Sequence, residues 1–141
     1  MISAKHRVIV SVFLIAFAVW DAILGGVCAF FPETWFKLTH GVDYVDPQAL
    51  LRRTGAIWLA FALFHLLAFL KWKTKPYWLV IVGGMRLSEI FADWTYLYFA
   101  QAITTGGRIG LLLATPSNIF FSLFFIRSFL LVQRSEGAAP E

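Results

Sequence analysis

Charge is what this chain has least of. Asp, Glu, Lys and Arg make up 14% of its 141 residues, against about 25% in soluble domains. That shortage excludes an ordinary soluble fold, since too few polar side chains remain to cover its surface. Cysteine is almost missing as well. Cys28 stands alone, so no intrachain disulfide and no Cys-x-x-Cys metal or redox motif can form, and the redox compartment is not legible. The three histidines, His6, His40 and His65, lie far apart in sequence, which gives no zinc-ligand spacing. Internal repeats and low-complexity tracts are absent. Basic residues outnumber acidic ones by 12 to 8, but they flank apolar runs instead of forming a patch. The excess carries orientation and no nucleic-acid signal.

What the chain has is hydrophobic length. Sixty per cent of it is apolar, arranged in four runs long enough to cross a lipid core about 30 Å thick. These predict spans at about 8–31, 47–70, 77–100 and 109–132, followed by a short polar tail, 133–141, expected to be disordered. The expectation is one membrane domain, all-α, built as an integral membrane four-helix bundle. The first run is too long for a signal-peptide core, and Gly25-Gly26-Val27 before Cys28 matches a lipoprotein cleavage site poorly. It reads as a retained helix ended by Pro32. Asp46-Pro47 supplies an N-cap acid and a first-turn proline for the second span. Gly106-Gly107 marks a turn after the third. Glu33 to Leu38 is amphipathic and Gly41 can stop it, which predicts a short interfacial helix with Trp35 at headgroup depth.

Lys5, Arg7, Lys71, Lys73, Lys75, Arg127 and Arg134 fall on one side of this topology, and Lys37, Arg52, Arg53 and Arg108 on the other. The positive-inside rule then places both termini on the cytoplasmic side.

The informative residues are the polar ones inside the spans. Arg86, Glu89 and Asp93 share one stripe about 60° wide on the third helix, climbing about 10 Å. Each such charge costs roughly 2.5–3.5 kcal/mol at the centre of a bilayer helix, so each must pair, face water or do chemistry. Counting depth from the helix ends brings Asp21 of the first span and Ser117 and Asn118 of the fourth to a similar height. Arg52 and Arg53 cap the same side as an outer mouth, with Asp43 and Asp46 close by for local pairing and helix capping.

Two readings compete. One is an internal network: Arg86 with Glu89 one turn away, Asp21 or Asp93 with an outer arginine, Asn118 and Ser122 bonding between helices. The other is a ligand or proton site, with Arg86 holding an anion and a carboxylate exchanging a proton. Three acids around one central arginine leave surplus negative charge, which keeps the site reading open beside the network.

Other positions carry bland and sharp readings side by side. Pro116 frees the carbonyl of Leu112 and either kinks the helix or lines a cavity. His65 shares a face with Thr54, Trp58 and Phe61. It is a weak metal candidate, and the lack of a second axial histidine argues against a tetrapyrrole. Gly83-Gly84 and the stripe Ala18, Ala22, Gly26 suggest close helix packing. Trp35, Trp72, Trp78 and Trp94 read as interfacial belts, while Trp20 and Trp58 lie deeper and can wall an apolar pocket.

The stretch Asp46-Pro47-Gln48-Ala49-Leu50-Leu51-Arg52-Arg53-Thr54-Gly55, then Gly84-Met85-Arg86-Leu87-Ser88-Glu89-Ile90-Phe91-Ala92-Asp93-Trp94-Thr95-Tyr96, then Pro116-Ser117-Asn118, resembles the BphX-like group of small bacterial membrane proteins. The layout more loosely resembles the DoxX-type four-helix group. The first likeness implies a bacterial inner membrane and a setting among genes for aromatic-compound breakdown, without an agreed activity. The second implies quinone-linked sulfur oxidation, for which no motif is present here.

Three functions follow. The leading expectation is a non-enzymatic accessory or ligand-binding subunit with a buried polar cluster, lying in the bilayer as a homo-oligomer or in a larger membrane complex. No cofactor is required, though a lipid or quinone suits the cluster. The second is a proton-coupled carrier for a small organic acid or aromatic compound, with Arg86 binding the anion. Four spans are few for a carrier. The third is an intramembrane isomerase or quinone-linked oxidoreductase subunit using a carboxylate as acid–base.

Overall fold

The computed structural model describes residues 3–46 and 48–136, with the side chain of Glu136 excepted. The described residues are all-helical. The elements are α1 (Ala4–Phe30), α2 (Pro32–His40), α3 (Leu50–Lys71), α4 (Trp78–Phe99) and α5 (Thr105–Glu136). At about 1.5 Å per residue, α1 reaches some 40 Å and α3 and α4 about 33 Å, all beyond a lipid core. Three helices, α1, α3 and α5, are long and apolar enough to cross a membrane. α4 equals α3 in length and is set apart by Arg86, Glu89 and Asp93.

Helix ends follow local chemistry. Ser3 caps α1, its Oγ accepting the His6 N–H at 3.2 Å. A single residue, Phe31, separates α1 from α2, and Pro32 starts α2 where a missing N–H has no cost. Gly41, at φ 73°, ends it in the left-handed region that glycine adopts freely.

Three expected boundaries are corrected. α3 starts at Leu50, later than Asp46-Pro47 predicts, while Pro47 itself lies outside the described residues. The Asp46 carboxylate reaches forward instead and accepts the N–H groups of Leu50, Leu51 and Arg52 at 2.8, 3.4 and 3.2 Å. Gly106-Gly107 is no turn, because Thr104 caps α5 through the Gly107 N–H and puts both glycines in its first turn. Residues 133–136 continue α5, so the expected disordered tail begins later; residues 137–141 lie outside the description.

α1 packs antiparallel to α3, and α4 to α5. The α1/α3 contact is backbone on backbone: a Cβ on Gly25 would sit 2.8 Å from the Gly55 carbonyl oxygen and 2.8 Å from the Leu59 nitrogen. The glycine stripe is therefore one position off the expected Ala18, Ala22, Gly26 face. Ala22 is exposed and Gly26 faces open space. Gly83 fills the equivalent place on α4, against Ser122 and Ile126, while Gly84 faces open space.

One apolar cluster gathers Val10 and Leu14 of α1, Ala68 of α3, Trp72 just beyond it, Leu79 and Val82 of α4 and Phe125 of α5. It occupies the end that holds the start of α1, the end of α5 and the α3–α4 turn. Trp72 is 2% exposed and donates from Nε1 to Ser11 Oγ at 3.3 Å, so it belongs to this core and not to a belt.

At the opposite end α2 crosses from α1 to α5. Thr104 fastens it: the Thr104 N–H donates to the Thr39 carbonyl at 2.8 Å, and Thr104 Oγ1 reaches the Leu38 and Thr39 carbonyls at 3.0 Å.

Candidate functional site

The apolar cluster stops where the polar residues begin. α1 contributes Asp21, α3 His65 and α4 Arg86, with relative exposures of 3%, 0% and 4%. Arg86 Nη2 donates to Asp21 Oδ2 in a buried ion pair. The same carboxylate oxygen lies 3.3 Å from His65 Nδ1, which also faces the Phe61 carbonyl at 2.9 Å. Two acceptors before one ring nitrogen fix the proton on Nδ1 and leave Nε2 as a lone pair in the neutral ring. Phe17 seals the group, with the Arg86 guanidinium 4.4 Å from its ring centre and the His65 ring 5.5 Å away.

Arg86 thus pairs with Asp21 and not with Glu89 one turn away. A helical side chain leans toward the N-terminus of its own helix, so Arg86 reaches back, away from Glu89. The same lean explains His65. α3 runs opposite to α1, so His65 and Asp21 lean toward each other across a one-turn offset. Reading depth from Cα positions alone put His65 below the cluster and missed it.

Glu89 has a different partner. Trp58 Nε1 of α3 donates to its Oε2 at 3.1 Å, and Trp35 of α2 stands edge-on to Trp58 at 5.5 Å. Trp58 is therefore a polar partner of Glu89. Trp20, the other deep tryptophan by sequence, is 55% exposed. Asp93 lies about 6 Å further along α4, and its Oδ2 is shielded from solvent with no hydrogen-bond partner among the described residues. Nearest the α2 end, Tyr96 Oη meets His40 Nε2, while His40 Nδ1 faces the Ala102 carbonyl.

From α5, Ser122 Oγ donates to the Gly83 carbonyl at 2.8 Å, joining α5 to α4. Asn118 is buried one turn higher and makes no hydrogen bond among the described residues. Thr115, another three residues up, is buried with Oγ1 unpartnered. Taking Ser122 and Gly83 as level, Asn118 and Arg86 lie about 5–6 Å above them, Thr115 about 10 Å and Asp93 about 15 Å. The unpartnered buried side-chain atoms among the described residues are His65 Nε2, Arg86 Nε, Asp93 Oδ2 and Thr115 Oγ1. All four lie in this one band.

Arg52 and Arg53, the expected outer mouth, are both exposed at the start of α3. Arg52 ties α3 to its neighbours, donating to the Ala29 carbonyl at 3.2 Å and to Glu33 at 3.4 Å. The expected pairing of Asp43 and Asp46 with these arginines is corrected. Asp43 pairs with Lys37 at 3.0 Å, and Asp46 takes the backbone N–H of Arg52, not its guanidinium. Burial works to raise the Asp46 carboxyl, but hydrogen bonds from Arg52, Leu51, Tyr44 and Leu50 outweigh it and hold the group below the ordinary aspartate range. Tyr44 shifts the opposite way, raised by burial and by its bond to that carboxylate.

Pro116 lies inside α5. Its neighbour Ser117 bonds the Leu113 carbonyl at 2.8 Å, leaving Leu112 without that help. A shallow groove of about 560 Å³, lined by Phe91, Ala92, Thr95, Tyr96, Phe99 and Ala100, follows the outer face of α4. Its lining is mostly apolar and includes none of Asp21, Glu89 and Asp93. Among the described residues no three His, Cys, Asp or Glu side chains group as metal ligands. No protein-family model, curated protein or solved structure matches this chain.

Proposed function

We propose that this is a small non-enzymatic membrane protein, BphX-like in kind, that holds a small polar ligand in the band between Arg86 and Asp93. In this reading α1, α3, α4 and α5 form a four-helix bundle across a bacterial inner membrane. Both termini are cytoplasmic, and α2 lies in the outer interface.

The observation that carries the proposal is the coincidence of the four unpartnered atoms. A buried polar atom without a partner costs about 1–3 kcal/mol, and four of them within one band about 10 Å deep mark a place built for an occupant that both donates and accepts. Binding is favoured over catalysis because Asp21, Arg86 and His65 already hold one another. Titratable groups engaged in this way orient a ligand more readily than they exchange protons with it.

A structure of the protein purified into lipid nanodiscs tests this. The expected result is a non-protein molecule within hydrogen-bond distance of Asp93 Oδ2 or Arg86 Nε, lost in Asp93→Asn and Thr115→Val. A band closed by side chains alone would refute it.

A second reading, the proton-coupled carrier, has one observation in its favour. Asp21 Oδ2 is shared between Arg86 and His65, so a proton arriving at His65 redistributes the bond to Arg86. Uptake into vesicles driven by a pH gradient and abolished in His65→Gln separates it from simple binding.

A further inference from the structure

We infer that the end of the bundle holding the apolar cluster is a docking surface for anionic phospholipid headgroups. This goes beyond the ligand reading above and uses no residue of the polar band.

Charge comes first. Lys5 and Arg7 open α1, Lys71, Lys73 and Lys75 surround the α3–α4 turn, and Arg127 and Arg134 stand in the last three turns of α5. All of these side chains are exposed, and among the described residues none of them makes an ion pair. No acidic side chain lies at this end among the described residues, and the sequence adds only Glu136 and Glu141 in the tail. The α2 end is different. There Lys37 pairs with Asp43 and Arg52 with Glu33, so its charges are largely met from within the chain. Like charges gathered on one end repel one another until anions collect beside them.

The charges also keep one arrangement. His6 Nε2 lies 3.0 Å from Ser128 Oγ and joins the start of α1 to α5. Trp72 Nε1 donates to Ser11 Oγ at 3.3 Å and joins the α3–α4 turn to α1. The turn itself is tight, with the N–H groups of Thr74 and Lys75 both donating to the Lys71 carbonyl, at 3.0 and 2.8 Å. The three lysines therefore spring from a backbone that cannot spread them apart.

Apolar surface beside the charges decides between a lipid and a free anion. Val8 follows Arg7, Leu70 precedes Lys71, and Leu130 lies one turn from both Arg127 and Arg134; all three are exposed. Tyr77 and Trp78, stacked with ring centres 5.9 Å apart, follow Lys75 closely, and such rings settle at headgroup depth. A phospholipid meets both kinds of surface at once, its headgroup on the cations and its acyl chains on the apolar side chains. Inorganic phosphate or a nucleic acid gains nothing from the second.

Native mass spectrometry of the full chain, released from nanodiscs of equal phosphatidylglycerol and phosphatidylcholine, tests the assignment. Both leaflets have one composition there, so the result does not depend on which way the chain faces. Phosphatidylglycerol is expected to be retained over phosphatidylcholine by about fivefold, the effect of one basic residue near a charged surface. The preference should fall to near parity when Lys71→Gln, Lys73→Gln and Lys75→Gln are combined, and partway when Arg127→Gln is combined with Arg134→Gln. It should persist when Lys37→Gln is combined with Arg53→Gln at the α2 end. It should also shrink at about 1 M salt, where screening acts within about 3 Å. Every substituted side chain is exposed, so helicity by circular dichroism should be unchanged, and Lys73→Gln alone is the milder variant.

Equal retention of the two lipids by wild type overturns the assignment. So does a preference that the three lysine substitutions leave intact. Inorganic phosphate that displaces phosphatidylglycerol at constant ionic strength points to a free-anion site and overturns it too, as does binding of a duplex oligonucleotide without any lipid preference. Each of these results leaves the ligand reading of the polar band where it stood.

Discussion

Replacing Arg86 by methionine keeps most of the side-chain volume and removes the one buried guanidinium. Asp21 is 3% exposed, so the substitution strands a carboxylate inside the protein. Removing one partner of a buried ion pair typically costs about 3–5 kcal/mol, whereas replacing both partners by apolar groups is often neutral or stabilising. His65 Nδ1 stays within 3.3 Å of the same oxygen and can keep a hydrogen bond to it, which places the expected loss near the lower figure. At about 1.4 kcal/mol per tenfold change, 3 kcal/mol is roughly a hundredfold in the unfolding equilibrium.

The assay is reversible unfolding in mixed micelles, followed by circular dichroism, for wild type, Arg86→Met, Asp21→Leu and the double variant. The double variant should recover most of the loss seen in Arg86→Met. If Arg86→Met costs less than about 1 kcal/mol, as for an exposed pair, or if the double variant is no better than the single, the buried-pair account is wrong.

Three further outcomes are expected. Gly25→Ala and Gly55→Ala should each destabilise by about 1–3 kcal/mol or more, because the added Cβ meets backbone, while Gly26→Ala should change little; the same unfolding assay decides. Trp72→Ala should cost about 3–5 kcal/mol, and Trp20→Ala, at an exposed site, far less; equal losses would remove Trp72 from the core. The Asp46 carboxyl is held lower in the folded chain than its ordinary value of 3.8, so its capping of α3 is fully present above that value and is lost as pH falls through the folded one. Hydrogen exchange at the Leu50, Leu51 and Arg52 amides should therefore stay slow at pH 5 and accelerate only in stronger acid than a free aspartate requires. Acceleration already at pH 5 would contradict the bonds drawn to Asp46.

The five-helix order was readable from hydropathy, from Pro32 and Gly41, and from the amphipathic stretch between them. Boundaries were less so. Asp46 caps α3 from four residues before its first turn, a reach that a search for an acid next to the helix start does not anticipate. Thr104 was invisible as a cap because the two glycines after it look like a turn, and what requires Gly107 is the Thr39 carbonyl, 2.7 Å from where a Cβ would sit. The convergence of Asp21 with the α4 charges was legible as a similar depth, but the pairing was not: Asp21 was expected on an outer arginine and bonds Arg86. The membership of His65, Trp58 and Thr115 was not, since each enters through the direction of a side chain and not through its position along the chain.

By itself the sequence determined that long apolar helices carry a few charges too costly to leave alone in lipid, because hydropathy and helical period are properties of neighbouring residues. Which acid Arg86 takes was decided only in three dimensions. The Gly25–Gly55 contact sets the rotation and register of α1 on α3, and the lean of each side chain toward its own N-terminus turns Arg86 to an aspartate 65 residues away. Among the described residues Glu89 and Asp93 form no ion pair for the same reason.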